Sequence, residues 1–260
     1  MMALRRLRTG FVVIGFVVLT AFRTAPVATA AELELKLVLA LDASSSVARG
    51  EFDLQVQGLA QAFRHPQVQN AIASLGGLGM AVTVMQWSSP ARQRVAIPWM
   101  RLNVPDDAAT FAGRLAGMPR FVGSGGTATG QAIAFAQALM NSSSFSAQRR
   151  VIDISGDGRA NMGKRPARVR DKAVAEGLTI NGLAILNEEP HVDRYYARDV
   201  IGGNGAFLMT ADSYPSFQEA IRRKLVREIS GSGMVQSPEP NWNPEVLPTG
   251  GVLAKEMQGN

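Results

Sequence analysis

Three short segments of the 260-residue chain place oxygen donors at spacings suited to a hard cation. The first is Asp42-Ala-Ser44-Ser-Ser46, a carboxylate followed at alternate positions by two hydroxyls that a turn can aim at one point. The second is Gly123-Ser-Gly-Gly126-Thr127-Ala-Thr129-Gly130, a glycine-rich loop that puts a threonine hydroxyl at the mouth of a helix. The third is Val151-Ile-Asp153-Ile-Ser155-Gly156-Asp157-Gly158, an apolar run that ends in a carboxylate between two glycines. Each has a plain reading on its own: a serine or threonine helix cap, or an Asp-Gly turn. Together they supply carboxylates and hydroxyls only, the donor chemistry of magnesium or calcium. The absence of cysteine excludes disulfides, thiolate metal sites and thiol nucleophiles. Two isolated histidines, His65 and His191, argue against a His-rich zinc centre.

The elements that must carry these segments alternate between two patterns. Short runs rich in Val, Ile and Leu read as buried strands: Leu35–Leu41, Met80–Trp87, Val151–Ser155, Leu178–Leu186 and Ala206–Met209. Arg92–Trp99 reads as an antiparallel edge strand, where Pro98 is tolerated. Between them lie helical stripes, such as Val56, Leu59, Ala60 and Phe63, then Ala132, Phe135, Ala136 and Leu139. A third stripe is Phe217, Ala220, Ile221, Leu225 and Ile229. This alternation predicts a three-layer, doubly wound α/β fold, with a mainly parallel central sheet, helices on both faces and one antiparallel edge strand. Ligands of such folds bind beyond the carboxyl ends of the strands, where two of the three segments fall.

The two ends of the chain read differently. Arg5, Arg6 and Arg8 precede the apolar run Gly10–Phe22 and an Ala28-x-Ala30 site, the order of a secretory signal peptide over residues 1–30. The rival reading is an uncleaved membrane anchor. The run is shorter than the roughly 20 residues of a membrane span and Arg23 closes it, so cleavage is favoured and no stable span is expected after it. The domain is expected over residues 31–233 and a flexible, proline-rich tail over 234–260. The formal charge of +6 contains four signal arginines, so the mature chain carries +2. A periplasmic or secreted location follows from the signal.

The three segments resemble the three parts of a metal-ion-dependent adhesion site of von Willebrand factor type A domains. The resemblance spans nearly the whole domain. It is narrower still to an uncharacterised bacterial family of exported, A-like proteins, through Gln86-Trp87-Ser88, the Val151–Gly158 stretch, Thr179–Ile185, Tyr195-Tyr196 and Val200–Phe207. The resemblance implies a divalent cation, Mg2+ foremost with Mn2+ or Ca2+ as alternatives, bound by the hydroxyls of Ser44 and Ser46. Asp42 and Asp157 would bind directly or through water, and Thr127 when a ligand is engaged. It also implies a protein partner whose acidic group completes the coordination. Gly156 departs from the pattern, which has Thr or Ser before the third-segment aspartate.

Next to Asp157, six cations and one acid between Arg159 and Lys172 give a local charge of +5. Arg159, Lys164 and Arg165, with Tyr195, are the expected ligand rim, and a solvated helix face is the equal alternative. Nucleic acid is disfavoured because no aromatic side chains interleave with these cations. Tyr196 and Asn204 are further candidates beside the rim, with at least one tyrosine expected to pack. Asp153, inside a buried strand, reads as a structural carboxylate. No enzyme is expected. The main rival is a Mg-dependent hydrolase or phosphatase with Asp42 as nucleophile, but Ser44 stands where the acid–base aspartate would be needed. A metal-free interaction scaffold is a third reading, and the oligomeric state is not legible.

Overall fold

The computed structural model describes residues 32–123 and 125–231, so the expected signal (1–30) and tail (234–260) lie outside the described residues. Six strands form one sheet in the order β3-β2-β1-β4-β5-β6. They are β1 Leu33–Asp42, β2 Met80–Trp87, β3 Gln93–Leu102, β4 Ala147–Gly156, β5 Thr179–Ile185 and β6 Leu208–Ala211. All neighbours pair parallel except β3, which runs antiparallel to β2 at one edge. The register of β2 and β3 shifts on both sides of Val84, around the position of Pro98.

The alternation of β1 divides the core. Leu35, Leu37, Leu39 and Leu41 face α1 (Arg49–Arg64), α2 (Pro66–Ala73), α3 (Pro105–Ala116) and α7 (Tyr214–Ser230). Val38 and Ala40 face α4 (Thr129–Ser142) and α5 (Pro166–Ala175) on the other side. That second face also holds α6 (Val192–Tyr195), which runs into a π-helical turn, Tyr196–Val200. Two apolar faces on the strands require two helical layers, so the doubly wound reading of the sequence holds.

A charged cluster is built into this core. Lys224 of α7 is wholly buried, with Nζ 2.7 Å from Asp153 Oδ1 on β4 and 2.5 Å from Glu228 Oε1 one turn along. Asn181 Nδ2 of β5 donates to the same Glu228 oxygen at 2.9 Å. Asp153 is thus a structural carboxylate, as its place inside a strand suggested. Burial raises the Asp153 and Glu228 carboxyls, and the ammonium opposes that rise.

The sequence reading places β6 two residues early and omits α2, α3 and α6. Both α2 and α3 begin with a proline at the first helical position, a start signal that the stripe search passes over. No helix among the described residues is long and apolar enough to cross a membrane.

Candidate metal centre

β1 lies between β2 and β4, where the order of winding reverses, and this switch point opens a crevice at the carboxyl edge of the sheet. Asp42 is the last residue of β1, and Asp157 directly follows β4. The turn after β1 is closed by Ser44 N–H donating to Asp42 Oδ1 at 2.7 Å. Ser44 Oγ lies 3.1 Å from Ser46 Oγ, and Ser46 Oγ donates to Asp157 Oδ1 at 2.7 Å. The other Asp157 oxygen accepts from the Tyr214 hydroxyl, on the first residue of α7, at 3.0 Å. Asp42, Ser44 and Asp157 are each 0% exposed.

Asp42 Oδ2 is buried with no hydrogen-bond partner. Burial, then the neighbouring Asp157, pushes the Asp42 carboxyl up to about 7, against the hydrogen bonds of Ser44 and the Arg120 charge. Burial also raises Asp157, opposed by Ser46 and Tyr214 and helped by Glu51. Two buried carboxylates that disfavour each other's charge and leave an oxygen unpartnered fit a divalent cation. No group of three or more His, Cys, Asp or Glu is placed to hold a metal among the described residues. A cation here therefore depends on the hydroxyls for the rest of its ligands.

The loops around the two aspartates are fixed by side chains that the sequence reading left without a role. Arg120 donates to the carbonyls of Ala43 at 2.7 Å, Ser44 at 3.0 Å and Val47 at 3.0 Å, and so holds the first loop. Buried Gln86 accepts from Phe121 N and Val122 N and donates to Pro119 O. Ser88 Oγ donates to Gly123 O, and Ser89 Oγ accepts from Gly126 N. The Gln86–Ser89 stretch thus moulds the segment leading to Thr127. Ser45 N donates to Gly125 O at 2.8 Å, which lays that segment against the first loop. A Cβ on Gly125 would come within 2.1 Å of Ser89 Oγ, so a side chain there would displace that hydroxyl from its hydrogen bond with Gly126 N.

Asp42, Ser44, Ser46 and Asp157 therefore form one cluster, and Thr127, 5% exposed, sits on the loop joined to it. Thr127 is clamped to the basic loop: its N–H donates to Asn161 Oδ1 at 2.9 Å, and its carbonyl accepts from Asn161 N at 3.0 Å. Of the rim residues, Arg159 is paired with Glu189 at 3.0 Å. Lys164 and Arg165 are exposed and line an open groove of about 530 Å³ with Met162, Arg168 and Asp199. Tyr195 also borders the groove, but it is mostly buried and its hydroxyl accepts from Ala160 N at 3.1 Å, tethering the loop. Asn204 does not reach the rim. Its carbonyl accepts from the Thr179 hydroxyl at the start of β5, at the opposite end of the sheet. Tyr214 and Arg120 are site residues that sequence reasoning missed, since each reaches the cluster or its loop from a separate element without a local motif, and Asn161, which holds Thr127, was missed likewise.

This architecture is that of the von Willebrand factor type A domains. Proximal thread matrix protein 1 from the mussel byssus matches with a TM-score of 0.58 and 16% identity over 77% of this chain and 48% of that one. The same mussel protein is also known with a zinc-occupied MIDAS motif, the metal-ion-dependent adhesion site. A von Willebrand factor type A structure from Catenulispora acidiphila matches with a TM-score of 0.51 and 18% identity, over 76% of this chain and 43% of that one. The pilus adhesin SpaC from Lactobacillus rhamnosus GG gives 0.51 and 16%, over 77% and 31%. The chain thus spans about half the length of the mussel protein and less of the adhesin. Residues 32–233 match the family described as "Protein of unknown function (DUF1194)", and the chain belongs to that family. No curated protein matches it significantly.

Proposed function

We propose that this chain is an exported, divalent-cation-dependent protein-binding module without catalytic activity. Asp42, Ser44, Ser46 and Asp157 hold Mg2+, or Mn2+ or Ca2+ in its place, and Thr127 joins when a ligand is bound. An acidic group of a protein partner completes the coordination. The observation that carries this reading is the unpartnered, buried Asp42 Oδ2 beside Asp157, which share one hydroxyl cluster. Two carboxylates neutralise a divalent ion and the hydroxyls add no charge, so the ion keeps its attraction for an outside carboxylate. Lys164, Arg165 and Arg168 around the adjacent groove favour a partner that presents acidic side chains next to the coordinating one. The signal-like segment 1–30 supports a periplasmic or secreted setting.

Isothermal titration of the chelator-treated protein with MgCl2, MnCl2 and CaCl2 tests the metal. Binding that Asp42→Ala abolishes supports the reading, and no heat with any of the three ions overturns it. Pull-down of exported proteins with and without chelator then tests the partner: capture that survives chelation defeats the cation-dependent mode. Turnover in a phosphatase or esterase screen that disappears in Asp42→Ala would reinstate the hydrolase.

A further inference from the structure

Gly156 is the residue that precedes Asp157, and no side chain fits there. A Cβ on it would sit 2.5 Å from Tyr196 Oη and 2.8 Å from Asp42 Oδ2. The tyrosine hydroxyl, coming from the far helical layer, thus fills the space beside β4 where a side chain at position 156 would begin. Both oxygens that crowd this point are buried, and neither has a hydrogen-bond partner among the described residues. Tyr196 is 0% exposed and opens the π-helical turn Tyr196–Val200, a backbone form common at functional positions.

Packing alone does not account for this tyrosine. Phenylalanine fills the same volume without a buried, unsatisfied hydroxyl, whose desolvation costs about 1–3 kcal/mol. The two oxygens flank the same point beside Gly156 without bonding to one another, one a donor and the other an acceptor, and complement one another once Asp42 carries its charge. We propose that Tyr196 is a positioning residue for the metal centre: its hydroxyl donates to the Asp42 carboxylate, directly or through one water, and fixes that carboxylate's orientation toward the cation. This rests on the cation reading of Asp42 given above. Burial and the surrounding carboxylates push the Tyr196 hydroxyl well above its ordinary range, so it stays a donor. Gly156 has a definite role on this account. It leaves the strand side open, so the hydroxyl arrives from position 196 instead.

The test compares the wild-type full chain with Tyr196→Phe. Each is titrated with MgCl2 by calorimetry, and each is melted in the presence of chelator. The chain's three tyrosines, Tyr195, Tyr196 and Tyr214, all lie at this site, so the tyrosine ultraviolet difference spectrum on adding Mg2+ is a second readout. Tyr196→Phe is expected to keep or raise the metal-free melting temperature while weakening Mg2+ about 10–100-fold, the usual effect of losing a group that orients a metal ligand. Mg2+ affinity within twofold of wild type in Tyr196→Phe overturns the proposal and leaves the cation site standing. Weakened affinity accompanied by an equally weakened metal-free fold assigns Tyr196 to structure alone and also overturns it. A wild type that binds no cation overturns the site and this inference together.

Discussion

Replacing Lys224 with Met should be among the most damaging single substitutions in the domain, although the residue lies away from the metal centre. The ammonium is wholly buried and is the cation that faces both Asp153 and Glu228. Met keeps the length and apolar stem of the side chain but leaves two carboxylates without a counter-charge in the core. Removing one partner from a buried ion pair costs about 3–5 kcal/mol. For a domain of this size each kcal/mol moves the melting temperature by about 2–4 °C, so a fall of roughly 6–20 °C is expected. The loss should also depend on pH. Burial raises both carboxyls above their unfolded values, so the native state binds more protons than the unfolded chain in the mildly acidic range. In wild type the ammonium opposes that rise; without it both carboxyls lie higher still, so the variant gains more stability than wild type as pH falls and the deficit narrows between pH 8 and pH 5. Urea unfolding followed by circular dichroism, in chelator at both pH values, measures this directly. A deficit below about 1 kcal/mol at pH 8, or one that is the same at pH 5, would refute the argument that an uncompensated buried charge is the cause. Replacing Asp153 and Glu228 by Asn and Gln in the same chain should restore most of the stability.

Three further outcomes follow from the site. With its carboxyl raised to about 7, Asp42 draws the native state below its acid-side stability as pH climbs from about 4 to 7, a difference on the order of 4 kcal/mol. Asp42→Asn should therefore raise the metal-free melting temperature at pH 8 while abolishing Mg2+ binding; a lower melting temperature would count against the electrostatic strain. Arg120→Ala removes three hydrogen bonds to the loop after β1 and should cost about 2 kcal/mol, with faster amide exchange over residues 43–47 and weaker Mg2+ binding. Reversing Lys164 and Arg165 to Glu should leave Mg2+ titration unchanged but slow association with an acidic partner about tenfold and flatten its salt dependence, as surface plasmon resonance would record.

Much of this was legible because it was local. The strand β2 has the same limits in sequence and structure, since apolar runs bounded by turn residues announce buried strands. Pro98 gave away the edge position of β3. Asp42 and Asp157 were readable because each stands at the end of an apolar run, and Ser44 and Ser46 because they follow Asp42 at alternate positions; that the two segments meet was implied by the resemblance. What stayed hidden depends on tertiary reach. Nothing near Arg120 marks it as a clamp for residues 43–47, because the sequence separation exceeds 70 residues. The Tyr214 hydroxyl comes to Asp157 from the seventh helix, and Lys224 looks like one more surface cation within Arg222-Arg-Lys224. Its burial is visible only when α7 is laid on β4 and β5. Gly156 stood out as a departure from pattern, but the reason for it lay in the space taken by Tyr196.

The junction between β1 and β4 also has a kinetic consequence. Ser46 and Asp157 meet across a sequence separation of 111, so the cluster cannot form before that long-range pairing does. Closing so large a loop is entropically costly and comes late for a parallel sheet. An ion or ligand that needs both strand ends finds no purchase on the nascent chain and offers the folding nucleus nothing. It acts once the sheet is complete, by holding β1 and β4 together. Occupancy should therefore lengthen the lifetime of the native state while leaving the refolding rate unchanged.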